Sequence, residues 1–390
     1  MNETVVVVTN IPRPYRTALF ATLKEQLRQT DLELRVVYTS DPAKHVRRSS
    51  QSPRLSDPGM ELYSHGVDIR MNYDRVLAIP LGLGRTLKNL QPACVVTAGF
   101  GPSALATARF CRRAGVPYVI WSGAWPNTEG ELGRTQKAIR RRLVRHAGAF
   151  ISYGTAAADY LATLGAPAER IFPAWNTVDL EGIASRAQAA AQRRAELSET
   201  YGLFGRNLLF IGSLVERKGV RELVTAALAA NPATSDWTLH FAADGPLRDE
   251  LSAQVLAAGR EKHFRFHGAL PPIQVAELLG VADGFFLPTK REAWGLVINE
   301  AMACGVPVVV SPLAGATRDL VEDGVTGFVV HPSDITALAG LVERLASGDP
   351  ECQKVGRAGA EAVRAKASLD KTAANFAAGI RCAMEHSGRA

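Results

Sequence analysis

At 390 residues the chain exceeds one ordinary hydrophobic core, so two domains are expected. A composition 47% hydrophobic and 21% charged describes a folded globular chain and excludes a disordered one. The net charge of +7 is uneven: residues 1–190 carry 24 Lys and Arg against 15 Asp and Glu, whereas residues 191–390 carry 21 against 23. An anionic partner is therefore expected for the first half, whether a membrane surface, a nucleic acid or an acidic substrate.

The first eight residues, MNETVVVV, place an acidic residue where a signal peptide needs basic ones, and no apolar run approaches the length of a membrane span. The expectation is a cytoplasmic protein. The five cysteines, Cys94, Cys111, Cys304, Cys352 and Cys382, are scattered and never at metal-ligand spacing. They read as reduced core residues.

In chain order, the β-branched run at 5–8 and the apolar run at 34–38 suit strands buried on both faces, as in a parallel sheet. Leu19, Leu23 and Leu27 predict a helix over 17–29 between them. The connecting segment at 9–16, TNIPRPYR, follows a strand, where open α/β sheets bind ligands. Arg13, Tyr15 and Arg16 are candidates there; the competing reading is that they decorate a tight turn. Residues 41–75 show no period and read as a long excursion, in which Arg47 and Arg48 could join an anion-binding surface.

A second βαβ unit runs over 94–121. Its loop GFGPSA at 99–104 matches the dinucleotide fingerprint formally, but the acidic residue needed after the next strand is missing, since WSGAW stands at 121–125. A close strand-to-helix turn is the better reading. A helix over 131–148 places Leu132, Ile139, Leu143 and Ala147 on one face and Arg134, Lys137, Arg141 and Arg145 on the other, with Arg140 and Arg142 between. That stripe either docks on anionic lipid headgroups at the inner face of the cytoplasmic membrane or is merely solvated. Turn signals at 173–179 and an Ala-rich helix over 183–198 put a domain boundary near 175–200.

The second half alternates strands and helices again. The strand at 207–213 runs into VERKG at 215–219, where Arg217 and Lys218 at a helix start would grip a diphosphate. The segment PTKREAWGLVINEAMACGVPVVVS at 288–311 reads as a strand end, a polar loop, a helix over 296–304, a Gly305 stop and another strand. Glu292 and Glu300 bracket it with seven residues between them. The free N–H groups at Ala293, Trp294, Gly295 and Leu296 form an anion site, and carboxylates on either side suit sugar hydroxyls. That is the outline of a nucleotide-sugar site.

Taken together, five motifs in order resemble the donor domain of the retaining glycosyltransferases of family 4: Gly212 with Arg217, Lys218 and Gly219; Asp244, Gly245 and Pro246; His267 and Gly268; the segment 288–309 with its two glutamates; and DGVTG at 323–327. The resemblance covers 205–335 closely and the first 180 residues more loosely, where NTVD at 176–179 matches the family's interdomain connection. It implies an α/β fold of GT-B architecture, two Rossmann-like domains with parallel sheets facing across a cleft. The acceptor-binding domain would span 1–175, with a helix at 370–390 packing back on it, followed by a linker and helix at 176–200 and a donor-binding domain at 201–369. The family implies that Glu292 bonds the donor sugar, that Ala293 to Leu296 offer N–H groups to sugar and phosphate, and that Glu300 holds the ribose. Arg217 and Lys218 would neutralise the departing diphosphate, which makes them catalytic together with Glu292, and Gly212, Asp244, His267 and Gly268 complete the donor site. Retention would follow from front-face attack, in which the leaving phosphate takes the acceptor proton. No cofactor and no metal are expected, because the Asp-x-Asp clamp is missing.

Two departures concern the acceptor. The usual Gly-Gly pair is replaced by IPRPYR at 11–16, a variant associated with bacterial surface-polysaccharide members, and the usual His-Asp by WSGAW at 121–125. Ser122, Trp125 and Glu129 join Arg13, Tyr15 and Arg16 as acceptor candidates. The expected partners are a nucleoside-diphosphate sugar, a glycan, lipid-linked or small-molecule hydroxyl acceptor, and an anionic membrane surface. The rival readings are a nucleotide-sugar 2-epimerase on the same fold and a basic nucleic-acid-binding module; no groove-reading motif accompanies the latter, so no nucleic acid is expected.

Overall fold

The computed structural model describes residues 3–40, 60–64, 66–70, 76–130, 132–230 and 236–387. Arg47 and Arg48 lie outside them. The chain divides into two compact units, Met1–Val178 with Leu369–Ala390, and Asp179–Ser368.

In the first unit the strands are β1 Glu3–Thr9, β2 Leu32–Tyr38, β3 Glu61–Tyr63, β4 Val67–Arg70, β5 Val76–Ile79, β6 Cys94–Ala98, β7 Tyr118–Ser122, β8 Ala149–Ser152 and β9 Ile171–Pro173. Seven of them form one parallel sheet in the order β3-β2-β1-β6-β7-β8-β9. The apolar run Val5 to Val8 sits in its middle, fully buried, with Val5 opposite both Leu34 and Cys94. Strands β4 and β5 pair antiparallel as a separate hairpin, so part of the excursion expected over 41–75 carries regular structure.

Successive side chains alternate between the sheet's faces, and each face has its own core. Val5, Val7, Cys94, Val96 and Trp121 pack with Leu19, Phe20 and Leu23 of the helix Pro14–Arg28 and with Phe376 and Ile380 of the final helix Leu369–Ser387. Val6, Val8, Val95 and Ile120 pack with residues of the helices Leu83–Leu90, Pro102–Ala114, Arg134–His146 and Thr155–Thr163. The first of these helices begins at Pro14, a turn earlier than the apolar period suggests, because a proline's fixed φ and missing N–H suit the first helical position.

The second unit carries β10 Arg206–Ser213, β11 Trp237–Asp244, β12 Phe264–Phe266, β13 Gly284–Leu287, β14 Val308–Val310 and β15 Phe328–Val329 in one parallel sheet ordered β12-β11-β10-β13-β14-β15. Crossover helices Val220–Ala229, Arg248–Ala257, Pro272–Val281 and Leu296–Ala303 connect its strands. The helix expected over 183–198 is two helices, Leu180–Gln192 and Arg194–Tyr201, broken at Arg193. The strand order reverses its direction of growth at β10, so the loops after β10 and β13 leave the same carboxyl edge on either side of a switch point. Ligands bind at such a crevice in open α/β sheets.

Candidate active site

The loop after β10 closes into a short 3₁₀ turn, Glu216–Lys218, and the loop after β13 runs past Pro288 toward Glu292. Gly219 lets the two loops meet. Its φ is +69°, and a Cβ there would stand 1.8 Å from the Pro288 carbonyl oxygen, so any side chain would force them apart. The Arg217 carbonyl then accepts from the Thr289 hydroxyl at 2.9 Å and from the Lys290 N–H at 2.8 Å. This stitching brings the two cations to the first glutamate: Lys218 Nζ is ion-paired to Glu292, and Arg217 Nη1 lies 3.7 Å from the same oxygen. Lys290 turns the other way, pairing with Glu216 and, at 2.7 Å, with Glu222.

The helix Leu296–Ala303 starts beside this cluster. Gly295, at φ +98°, turns the chain into it, no side chain caps it, and its first turn carries no acid. Its amino-terminal N–H groups are a ready anion site. Trp294 of that loop is buried, with Nε1 donating to Asn299 Oδ1 at 2.9 Å, so only its backbone is presented toward a ligand. The loop is braced by a segment the sequence pattern does not single out. Gly315 N–H donates to the Glu292 carbonyl at 3.2 Å, Ala316 N–H donates to the Trp294 carbonyl at 3.0 Å, and a Cβ on Gly315 would meet the Ala293 carbonyl oxygen at 2.2 Å. The small residues of LAGA at 313–316, after a strand end, are the one signal that could have revealed this brace.

The two glutamates are electrostatic opposites. Burial alone would push the Glu292 carboxyl up, but Lys218, hydrogen-bonded to it, and Arg217 hold it below the ordinary carboxylate value. Glu300 has no such partner among the described residues, and burial pushes its carboxyl up to about 7. Asp244, at the end of β11, is exposed and accepts from the Gly245 N–H at 2.9 Å. His267 sits just past β12 and is held by a polar string. Asn207 Nδ2 donates to the Gly205 carbonyl at 3.1 Å, which leaves Asn207 Oδ1 to accept from His240 Nε2 at 3.0 Å. The other nitrogen of His240, Nδ1, must then accept from His267 Nε2, at 3.0 Å. Burial lowers both imidazoles, His240 to about 3, so both are neutral at physiological pH. Gly212 lies in β10 with Lys218 Cε nearby, and Gly268 adjoins Arg248.

In the first unit the acceptor candidates fall at the carboxyl ends of β1 and β7. Arg16 is buried against Trp121 and Tyr15 lies beside it, both in the first turn of Pro14–Arg28, and Arg13 stands at that helix's N-cap position without a side-chain cap bond. Ser122 is buried and its Oγ accepts from the Ala124 N–H at 3.1 Å, and Trp125 starts a short turn closed by Thr128. Glu129 is ion-paired with Arg140, whose guanidinium also donates to Tyr160 Oη at 3.0 Å and covers the Phe100 ring.

The basic helix is shorter than the expected 131–148, and two of its assignments change. Arg140, expected between the packed and the basic face, is bound to Glu129, and Ile139, expected on the packed face, is exposed. Leu143, Val144 and Ala147 are what it buries. Between this helix and Pro102–Ala114 lies a cavity of about 210 Å³ lined by Arg109, Arg112, Arg142 and His146 over an apolar floor. Among the described residues no group of three or more His, Cys, Asp or Glu could hold a metal ion, and no helix is long and apolar enough to cross a membrane.

The chain is similar to known proteins. The family description "Glycosyl transferases group 1" matches residues 205–362, and "Glycosyl transferase 4-like domain" matches 17–176. The alpha-D-kanosaminyltransferase of Streptomyces kanamyceticus is 30% identical over 266 residues, 66% of this chain and 68% of that protein. The phosphatidyl-myo-inositol mannosyltransferase of Mycobacterium leprae is 33% identical over 191 residues, and the match spans about half of each chain, 48%. A solved structure of Anabaena Alr3699/HepE in complex with UDP and glucose superposes with a TM-score of 0.73 at 17% identity, covering 97% of this chain and 99% of that one. The chain belongs to the GT-B glycosyltransferases of the family-4 type. It is a glycosyltransferase.

Proposed function

We propose that the protein moves a hexose-type sugar, with retention of anomeric configuration and without a divalent metal, from a nucleoside-diphosphate sugar to a hydroxyl acceptor in bacterial polysaccharide, lipopolysaccharide or other glycoconjugate synthesis. The observation that carries this reading is the cluster of Lys218, Arg217 and Glu292 beside the uncapped amino terminus of Leu296–Ala303. Breaking the bond between sugar and diphosphate develops negative charge on the leaving phosphate, and two preorganised cations with free N–H groups favour that transition state over the ground state. Lys218 and Arg217 supply the charge that a metal clamp would otherwise bring. Glu292, kept ionised by them, accepts from sugar hydroxyls, and Glu300 accepts from the ribose. Gly212, Asp244, His267 and Gly268 line the rest of the donor subsite. In front-face attack the leaving phosphate oxygen takes the proton of the acceptor hydroxyl as the new bond forms, so no side chain is needed as a base. The solved relative bound to UDP-glucose supports a uridine donor.

The test is a screen of UDP- and GDP-sugars, read by thermal shift and by anomeric NMR of the product. A matching donor should raise Tm, and Lys218→Ala should lower the transfer rate by roughly 10²–10³-fold while leaving the fold intact. Transfer should proceed unchanged in EDTA. Loss of activity in EDTA with recovery on adding Mn²⁺ would overturn the metal-independent mechanism.

The acceptor side of the reading extends to a surface. The cationic cavity, with Leu105 and Ile139 exposed beside its arginines, fits the headgroup zone of an anionic membrane and a lipid-linked acceptor. The protein should sediment with phosphatidylserine vesicles and not with neutral ones, and a triple change of Arg109, Arg112 and Arg142 to Gln should abolish this. Equal sedimentation of the triple variant would remove the surface from the proposal.

A further inference from the structure

Arg16 occupies the first turn of Pro14–Arg28 with only 8% of its surface exposed. Its guanidinium lies over the Trp121 ring, 4.6 Å from the centroid, and 5.6 Å from the centroid of Tyr15. Nη1 donates to the Thr9 hydroxyl, Nη2 donates to Tyr153 Oη at 3.2 Å, and Nε is buried with no acceptor among the described residues. Every one of these neighbours is neutral, and among the described residues no carboxylate is paired with Arg16.

Such a site is electrostatically incomplete. A buried guanidinium is tolerated when a carboxylate or phosphate compensates it; hydroxyls and ring faces offset part of the cost and leave the Nε–H unmet. The helix makes matters worse, since its positive end adds to the charge while no acid stands in its first turn and no side chain caps it. If the position served packing alone, an apolar side chain of similar size would fill it without this cost. The site lies at the carboxyl end of β1, on the sheet edge where this class of fold takes its ligands.

We propose that the acceptor carries an anionic group, a phosphate or a carboxylate, and that Arg16 receives it at the carboxyl edge of the first unit's sheet. This rests on the reading of that unit as the acceptor-binding one. The buried Nε–H is the guanidinium donor left to meet one oxygen of the group. Tyr153, whose oxygen already accepts from Nη2, keeps its own hydrogen to donate to another. A neutral sugar hydroxyl alone would leave the buried charge uncompensated, so neutral acceptors should be poor ones.

The experiment measures Tm of the full chain in chloride, inorganic phosphate and acetate at equal ionic strength, for the wild type, Arg16→Gln, Arg16→Lys and Arg217→Ala. Phosphate or acetate should raise the wild-type Tm by about 2 °C or more above chloride; which of the two does so identifies the group. The increment should persist in Arg217→Ala, shrink in Arg16→Lys, which keeps the charge and loses the fork, and vanish in Arg16→Gln. In chloride Arg16→Gln should melt at or above the wild type, because the uncompensated charge is gone. An Arg16→Gln variant that melts lower and keeps the full increment would show a purely structural arginine and overturn the inference. So would an increment lost in Arg217→Ala and retained in Arg16→Gln, which would locate the anion in the donor subsite and leave the donor reading standing.

Discussion

Glu292 and Glu300 stand on one loop and helix and differ by what faces them. The first is held ionised by Lys218 and Arg217; the second is half-buried with no cation paired to it among the described residues, and desolvation pushes its carboxyl up to about 7. The consequence for stability has a definite sign. An unfolded glutamate loses its proton near 4.5, so between there and about 7 the folded chain holds a proton that the unfolded chain has lost. Stability contributed by neutral Glu300 is therefore complete below that window and lost as pH rises through it. Glu300→Gln should flatten this fall, by up to about 3 kcal/mol between pH 4.5 and 8 in urea melts. Ligand binding should run the other way. An ionised carboxylate is the stronger acceptor for ribose hydroxyls, so nucleotide affinity should rise with pH through 7 in the wild type and stay flat in Glu300→Gln. A parallel pH dependence in both proteins would detach Glu300 from the ribose.

At the scale of elements, two loops make the site, and backbone groups join them more than side chains do. Gly219 has no room for a Cβ and a φ that disfavours one. Gly219→Ala should cost about 1–3 kcal/mol in urea unfolding, and it should also slow transfer because Lys218 and Glu292 would separate. A variant with normal stability and rate would show that the loops meet without this contact. The motif residues of these loops were legible in the sequence because each follows directly from local chain order: strand, turn, helix start. Their brace was not. Thr289, Gly315 and Ala316 act by bonding residues far away in sequence or by leaving space for them, and no spacing rule reports that. The same limit explains Arg140 and Glu129, placed separately between the two faces of a helix and in an acceptor pocket and found bound to each other.

At the scale of the molecule, the first unit is completed by the chain's far end. Phe376 is fully buried and meets Trp121 edge-on at 5.2 Å, with Ile380 behind it. Phe376→Ala should cost about 3–5 kcal/mol. Hydrogen exchange should show the loss in β1 and β6 to β8 while β10 to β14 keep their protection; uniform loosening of both sheets would contradict the division into two units. The sequence by itself determined the alternation of buried strands and crossover helices, the two parallel sheets, and the motifs of the candidate site in their order, because hydrophobic period and strand-end loops are local properties of the chain. Only the tertiary structure decided which charges are compensated. It paired Lys218 with Glu292, gave Glu300 no cation among the described residues, set the tautomers of His240 and His267, and buried Arg16 among neutral groups. Burial and charge pairing are made by contacts between distant segments, and they set the chemistry of side chains that look alike in the sequence.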